Sequence, residues 1–139
     1  MNGEPFVDTN IWVYAHLETP RDPKGDLARA LVESDPRFVV STQVLNEYYA
    51  AMLKNRVSDL WIQSSLEAMI EHCRVIPVSV PIIRQAHAIK NRYGFSLWDS
   101  LVVSSALVAD CPVLYSEDLQ HDQCIEGRLI VRNPFKGIN

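Results

Sequence analysis

The chain has 139 residues, 47% of them hydrophobic and 22% charged, with a formal net charge of -4. That length suits one domain with a continuous core, and the composition excludes a disordered or fibrous chain. The negative balance excludes a protein that coats nucleic acid through bulk positive charge, yet it leaves room for an enzyme whose acids gather in one pocket.

Taken in chain order, Met1-Asn2-Gly3-Glu4-Pro5 lacks the basic start and apolar run of a secretory signal. No stretch is long and apolar enough to cross a bilayer, so a cytoplasmic protein with no membrane partner is expected. Pro5 to Asp8 is too short for a helix and reads as a strand ending on an acid, which opens an Asp8-Thr9-Asn10 turn. Asp22-Pro23 offers a cap followed by proline at the first helical position, and Leu27, Ala30 and Leu31 then recur on one face. Arg37 to Ser41 is the second strand candidate, and a helix should run from Thr42 to about Asn55. Ser58 can cap the next, with Trp61, Ile62, Leu66, Met69 and Ile70 as its apolar stripe. The two make a helical hairpin inserted between strands two and three.

Arg74 to Val80 is the third strand candidate. A helix starting near Pro81 turns Ile82, Ile83, Ala86, Ile89 and Tyr93 toward a core and stops at Gly94, a good left-handed cap. From Ser96 a further helix is apolar on nearly every side between Leu97 and Ala109, which predicts a buried central helix. Pro112 to Ser116 and Arg128 to Val131 complete the strands. The alternation of short apolar runs with helical stretches predicts a single α/β domain over residues 1–139, three layers α/β/α around a mainly parallel sheet of about five strands. Cys73, Cys111 and Cys124 are odd in number and lack C-x-x-C spacing, so they read as reduced packing or loop residues.

In an open parallel sheet the functional crevice lies beyond the carboxyl ends of the strands. The acids fall there: Asp8 after Phe6-Val7, Glu47 one turn into the helix after Val39-Val40-Ser41, and Glu117-Asp118 after Val113-Leu114-Tyr115-Ser116. Asp99 joins them in the first turn of the buried helix. Carboxylates about 5 Å apart at an effective dielectric near 20 repel by roughly 3 kcal/mol per pair, so four converging acids call for protons or cations. Hard oxygen ligands favour Mg2+ or Mn2+, ions that activate water against a phosphodiester without a Ser, Cys or His nucleophile. Each acid also has an ordinary structural use. Asp8 suits a turn or cap, Glu47 a solvated helix face, Asp118 a loop, and Asp99 a capping box in Ser96-Leu97-Trp98-Asp99.

Four segments, Phe6-Val7-Asp8-Thr9-Asn10, Ser41-Thr42-Gln43-Val44-Leu45-Asn46-Glu47, Leu97-Trp98-Asp99-Ser100-Leu101 and Leu114-Tyr115-Ser116-Glu117-Asp118-Leu119-Gln120, occur in the order seen in PIN domains. Over almost its whole length the chain resembles VapC-type toxins of that family. The resemblance implies a parallel sheet wrapped by helices, Mg2+ or Mn2+ held by the acids, and metal-dependent hydrolysis of RNA. By position, Asp8, Glu47, Asp99 and Asp118 match the family's catalytic and metal-holding acids, with Asn10, Ser116 and Glu117 in support. It also implies a small antitoxin partner and a homodimer. The chain departs from close relatives at Asp122, where they often carry glycine.

Lys54 lies two helical turns beyond Glu47, and Lys90 and Arg92 shortly precede Asp99; all three are candidate RNA contacts as well as ordinary helix-end cations. His16, His72, His87 and His121 show no ligand spacing and are assigned no catalytic role. Tyr48, Tyr49, Met52 and Leu53, with Trp61 and Ile62, exceed what a two-helix insertion easily buries, leaving either ordinary core or a surface for antitoxin and partner subunit. Among rival readings, a haloacid-dehalogenase-like phosphatase needs a second acid where Asn10 stands. A receiver-like metal-binding signalling module needs paired acids after the first strand and a Lys after the last, and a non-catalytic binding module needs no acids at all. A housekeeping RNA-processing PIN nuclease would share the whole site.

Overall fold

Strand β1 (Phe6–Val7) lies inside a six-stranded sheet, flanked by β2 (Val39–Ser41) and then β3 (Arg74–Ile76) on one side. On the other side stand β4 (Val113–Tyr115), β6 (Leu129–Arg132) and the edge strand β5 (Cys124–Ile125), giving the order β3-β2-β1-β4-β6-β5. Phe6 pairs with Val39 and Leu114, and Val7 with Tyr115, all in parallel register; among the described residues β5 and β6 alone pair antiparallel. The order steps outward from β1 to β3 and then returns to the other side of β1. That reversal opens a crevice between the carboxyl ends of β1 and β4.

The computed structural model describes residues 3–17, 22–34 and 37–138. Met1 and Asn2, at the head of the segment that lacks a secretory signal, lie outside them. Neighbouring strand residues point to opposite faces, and Phe6, Val7, Val39, Val40 and Ser41 are all fully buried. Both faces are therefore covered, as a three-layer α/β/α fold requires. The covering helices are α1 (Thr9–His16), α2 (Pro23–Ser34), α3 (Thr42–Lys54), α4 (Asp59–His72), α5 (Val80–Tyr93) and α6 (Leu97–Val108). Serine starts four of them: Ser41, Ser58, Ser79 and Ser96 each accept the amide of the residue three further on, satisfying an orphan donor of the first turn. Gly94 ends α5 at φ 77, a left-handed value that strains a residue with a Cβ and that glycine adopts freely. No helix among the described residues is long and apolar enough to cross a membrane.

Several expected boundaries and faces differ. The Asp8-Thr9-Asn10 turn is the first turn of α1, an eight-residue helix whose Ile11, Trp12, Val13 and Ala15 are buried on all sides and so leave no amphipathic stripe to read. β3 stops at Ile76 and not at Val80, because Ser79 already caps α5. The sheet has a sixth strand, β5, of only two residues, hidden in the sequence by its length. In α2 the buried residues are Gly25 and Ala28, while Leu27 is 39% exposed. Small residues face α1 there: a Cβ added at Gly25 would meet the Tyr14 carbonyl at an ordinary contact distance of 3.5 Å and the Arg29 guanidinium at 3.3 Å.

Ile62 and Met69 of α4 are buried and Leu66 partly so, whereas Trp61 and Ile70 are exposed. Along α5, Ile82, Ala86 and Ile89 are buried, Tyr93 is half-buried and Ile83 is exposed. Helix α6 is buried from Ser100 to Leu107, but Leu97, Trp98 and Val108 at its ends reach solvent. Cys73 and Cys111 are buried and Cys124 is exposed on the edge strand; burial pushes the first two thiols up to about 11 and about 12, as inert packing residues.

Candidate active site

Asp8 is the residue on which β1 hands over to α1. Its Oδ1 accepts the Thr9 amide at 2.7 Å as the helix cap, and its Oδ2 accepts the Ser116 hydroxyl at 2.9 Å. The Asp8 amide donates to the Tyr115 carbonyl at 3.0 Å, so the parallel pairing of β1 with β4 fixes the acid against the loop that carries Ser116. Only 6% of Asp8 is exposed. Burial raises its pKa to about 7 against the lowering effect of the Thr9 and Ser116 bonds, and Asp118 and Glu47 add repulsion.

Glu47 stands in the second turn of α3, where its Oε1 accepts the Thr9 hydroxyl at 2.9 Å and its Oε2 accepts Gln43 Nε2 at 3.3 Å. Gln43 is one helical turn earlier, and it also donates to the Trp98 carbonyl at 3.2 Å, tying α3 to the start of α6. Asp118 follows β4. Its amide donates to Ser116 Oγ at 3.2 Å and its Oδ2 accepts Asn10 Nδ2 at 3.3 Å. Burial raises its pKa first, and the charges of Asp99, Glu117 and Glu47 raise it further. Asp99 donates its amide to Ser96 Oγ at 3.1 Å, but among the described residues no Ser96 amide returns a bond to the Asp99 carboxylate. Only half of a capping box is made, which leaves the Asp99 carboxylate for the cleft.

Asp8, Glu47, Asp99 and Asp118 therefore line one cleft of about 330 Å3 at the β1/β4 crevice, with Asn10 beside them. Among the described residues no three His, Cys, Asp or Glu side chains close into a finished metal cage. The cleft is instead an open group of oxygen donors; burial first, and mutual repulsion after it, raise the pKa of Asp8 and Asp118, and a hard divalent cation would offset both. The donor chemistry fits Mg2+ or Mn2+.

Other predicted residues fall outside this group. Glu117 does not line the cleft: its carboxylate accepts Tyr14 Oη at 2.8 Å and Lys24 Nζ at 2.9 Å. Lys54, Lys90 and Arg92 are exposed and none lines the cleft; Arg92 is bound to Glu126 in the β5–β6 turn. No histidine lines it either, and His16 is held 2.6 Å from the buried Tyr48 hydroxyl. Thr9, Gln43, Ala50, Ala51, Trp98 and Val102 complete the walls and were not singled out from the sequence. Gln43 was within reach of sequence reasoning, since it stands four residues before Glu47 on the same helix face.

The family profile described as the PIN domain matches residues 6–124, from the first strand to the edge strand. The chain belongs to the PIN-domain family. No curated protein sequence matches it significantly. Among solved structures, this PIN domain shares its fold with Mycobacterium tuberculosis VapC20, a sarcin-ricin loop cleaving toxin, at 23% identity and a TM-score of 0.64, over 81% of this chain and 88% of that one. A toxin-antitoxin complex from Klebsiella pneumoniae matches at 19% identity and a TM-score of 0.71, over 95% and 98% of the two chains. VapBC2 from Rickettsia felis, bound to a DNA fragment from its promoter, matches at 19% and 0.65, over 93% and 97%. Asp122 adopts φ 68, a left-handed value that glycine takes without cost, and its carboxylate is paired with Arg132.

Proposed function

We propose that this PIN domain is a metal-dependent endoribonuclease, the toxin of a toxin-antitoxin pair, with Asp8, Glu47, Asp99 and Asp118 as the residues that hold Mg2+ or Mn2+. The observation that carries the reading is the convergence of these four acids on one cleft at the β1/β4 crevice. When bound, a divalent ion supplies an activated water and charge stabilisation at the phosphate. The chain's own residues aim the ligands. Thr9 and Ser116 hold the two oxygens of Asp8, Thr9 and Gln43 hold those of Glu47, and Asn10 holds one oxygen of Asp118. Lys54, Lys90 and Arg92 are the proposed cations for the RNA backbone outside the cleft, Arg92 only after leaving Glu126.

The fold shared with an RNA-cleaving toxin and with toxin-antitoxin complexes supports the biological role. Tyr48, Met52 and Ile62 of the α3–α4 hairpin are core, while Leu53, Leu60, Trp61 and Ile70 are exposed, 45% or more each. That apolar surface is the proposed face for an antitoxin segment or a second subunit. The absence of a long apolar helix among the described residues is consistent with a cytoplasmic place of action.

The test is cleavage of a total RNA pool by purified protein with Mg2+ or Mn2+ and with chelator, comparing wild type with Asp8→Asn and Asp99→Asn. Metal-dependent cutting that disappears in both variants is the expected result. A folded, metal-loaded, antitoxin-free wild type that cuts no RNA overturns the nuclease reading and returns weight to a binding module.

A further inference from the structure

Beside the acid cleft runs a second, larger groove of about 480 Å3, and the two share Gln43, Glu47 and Trp98. Its remaining lining, Thr42, Asn46, Val78 and Leu101, brings no Lys or Arg. The Trp98 indole is 60% exposed, the more open of the two exposed tryptophans, while Trp61 lies elsewhere on α4. An aromatic of that size left in water at the rim of a site is unexplained by packing, because the core is complete without it. Its backbone is nonetheless fixed, since Gln43 donates to the Trp98 carbonyl and Asp99 sits next in the chain.

We propose that this groove is a nucleobase subsite, in which Trp98 stacks on the base of a nucleotide flanking the phosphate held at the acids. The inference rests on the nuclease reading for its substrate and on the groove for its place. A groove without cations does not suit a phosphate, and one with an exposed indole and amide groups suits a neutral, flat, hydrogen-bonding ring. Continuity decides the occupant: Glu47 and Gln43 form walls of both spaces, so a strand whose phosphate enters one lays its neighbouring base in the other. Gln43 spends its amide group on Glu47 and the Trp98 carbonyl, which fixes the wall that the two spaces share.

Tryptophan emission reads the contact directly. Asp8→Asn protein is titrated with short single-stranded oligo(A), oligo(C) and oligo(U) and with an abasic ribose-phosphate oligomer, at one fixed salt concentration. The same titrations are run on Asp8→Asn carrying Trp98→Phe or Trp98→Ala. The proposal expects quenching by base-bearing RNA that the abasic oligomer does not give and that vanishes in both Trp98 variants. It also expects an affinity loss of about 5- to 150-fold for Trp98→Ala, largely restored in Trp98→Phe, and none for Trp98→Ala against the abasic oligomer. Emission that ignores RNA, or responds equally to the abasic oligomer, overturns the subsite and leaves the groove to a protein segment. A parallel cleavage assay on wild type separates the two readings. Cutting with a silent Trp98 removes only the subsite, and quenching without cutting keeps the subsite and removes the nuclease.

Discussion

Glu117 and Asp118 are neighbours in one loop and meet opposite surroundings. Glu117 turns to Lys24 and Tyr14, with the Lys24 ammonium also lying 5.3 Å from the Tyr14 ring centre and 5.5 Å from that of Phe135, so its charge is answered by a cation and a hydroxyl. Asp118 turns to the cleft, where burial and then the charges of Asp99, Glu117 and Glu47 raise its pKa, and one amide of Asn10 is its side-chain partner. A paired acid explains itself as structure. Acids gathered without a counter-charge cost stability and need a ligand to account for them, which is why the cleft and not the Lys24 side carries the functional argument.

The sharpest way to break this contrast is to remove the charge at the cleft's most buried point. Asp8 has its ordinary pKa of 3.8 when unfolded and about 7 in the fold. The folded state binds that proton more tightly, so metal-free stability falls as pH rises from about 4 to about 7 and is level above it. Asp8→Asn, which can still cap α1, should therefore stabilise the protein in chelator by up to about 4 kcal/mol near pH 8, with the gain fading toward pH 4. Denaturant melts across that range check it, and a gain independent of pH would mean that Asp8 is not held as an uncompensated charge. In the same melts, Mg2+ or Mn2+ should raise the stability of wild type and not of Asp8→Asn, by about 2.7 kcal/mol at a concentration a hundred times Kd.

The opposite side of the loop should respond differently. Lys24→Met strands Glu117 and frees the segment holding Ser116 and Asp118, and cleavage should fall about tenfold, the scale of a lost supporting bond. Adding Glu117→Gln to Lys24→Met should cost no more than Glu117→Gln alone, and additive losses in kcat/KM would deny the coupling. Smaller again is Lys54→Ala, expected to weaken RNA binding at every sequence and reduce the salt slope of log K by about one; an unchanged slope removes Lys54 from the backbone contacts. Smallest is Asp122→Gly, where relief of the left-handed backbone is offset by loss of the Arg132 pair. The unfolding free energy from denaturant melts should change by less than about 1 kcal/mol.

The alternation of strands and helices, the hairpin insertion and the caps at Ser58 and Ser96 were legible, because each rests on local chemistry that the chain shows plainly; the cap at Ser79 was not, since it follows an apolar run that reads as one strand. Helix α1 was not, since eight residues with no polar face are too few to tell a helix from a turn after a strand, and β5 was not, since two residues form a strand only beside β6. The face of α2 was read only in part: Leu31 packs against the core as a large apolar residue should, whereas Leu27 is exposed and a search for large apolar residues passes over the buried Gly25 and Ala28. At the site, the four acids were visible as strand-end and early-helix residues; residue type and spacing alone do not separate Glu117 from Asp118, and it was the family pattern that put Asp118 among the four. Only the fold assigns one to Lys24 and the other to the cleft. Trp98 was quoted within a motif, yet its exposure is a property of where α6 begins.

The hydrogen bond from Ser116 to Asp8 spans 108 residues of chain. Nearly all of the polypeptide must be made and threaded into its sheet before the two meet, and the first strand must wait for the fourth. A chain still emerging from the ribosome, with β4 not yet delivered, has Asp8 at the rim of an unfinished sheet and no cleft at all. Assembly order thus acts as a timer: whatever this site does to its substrate, it begins only after synthesis has passed residue 118.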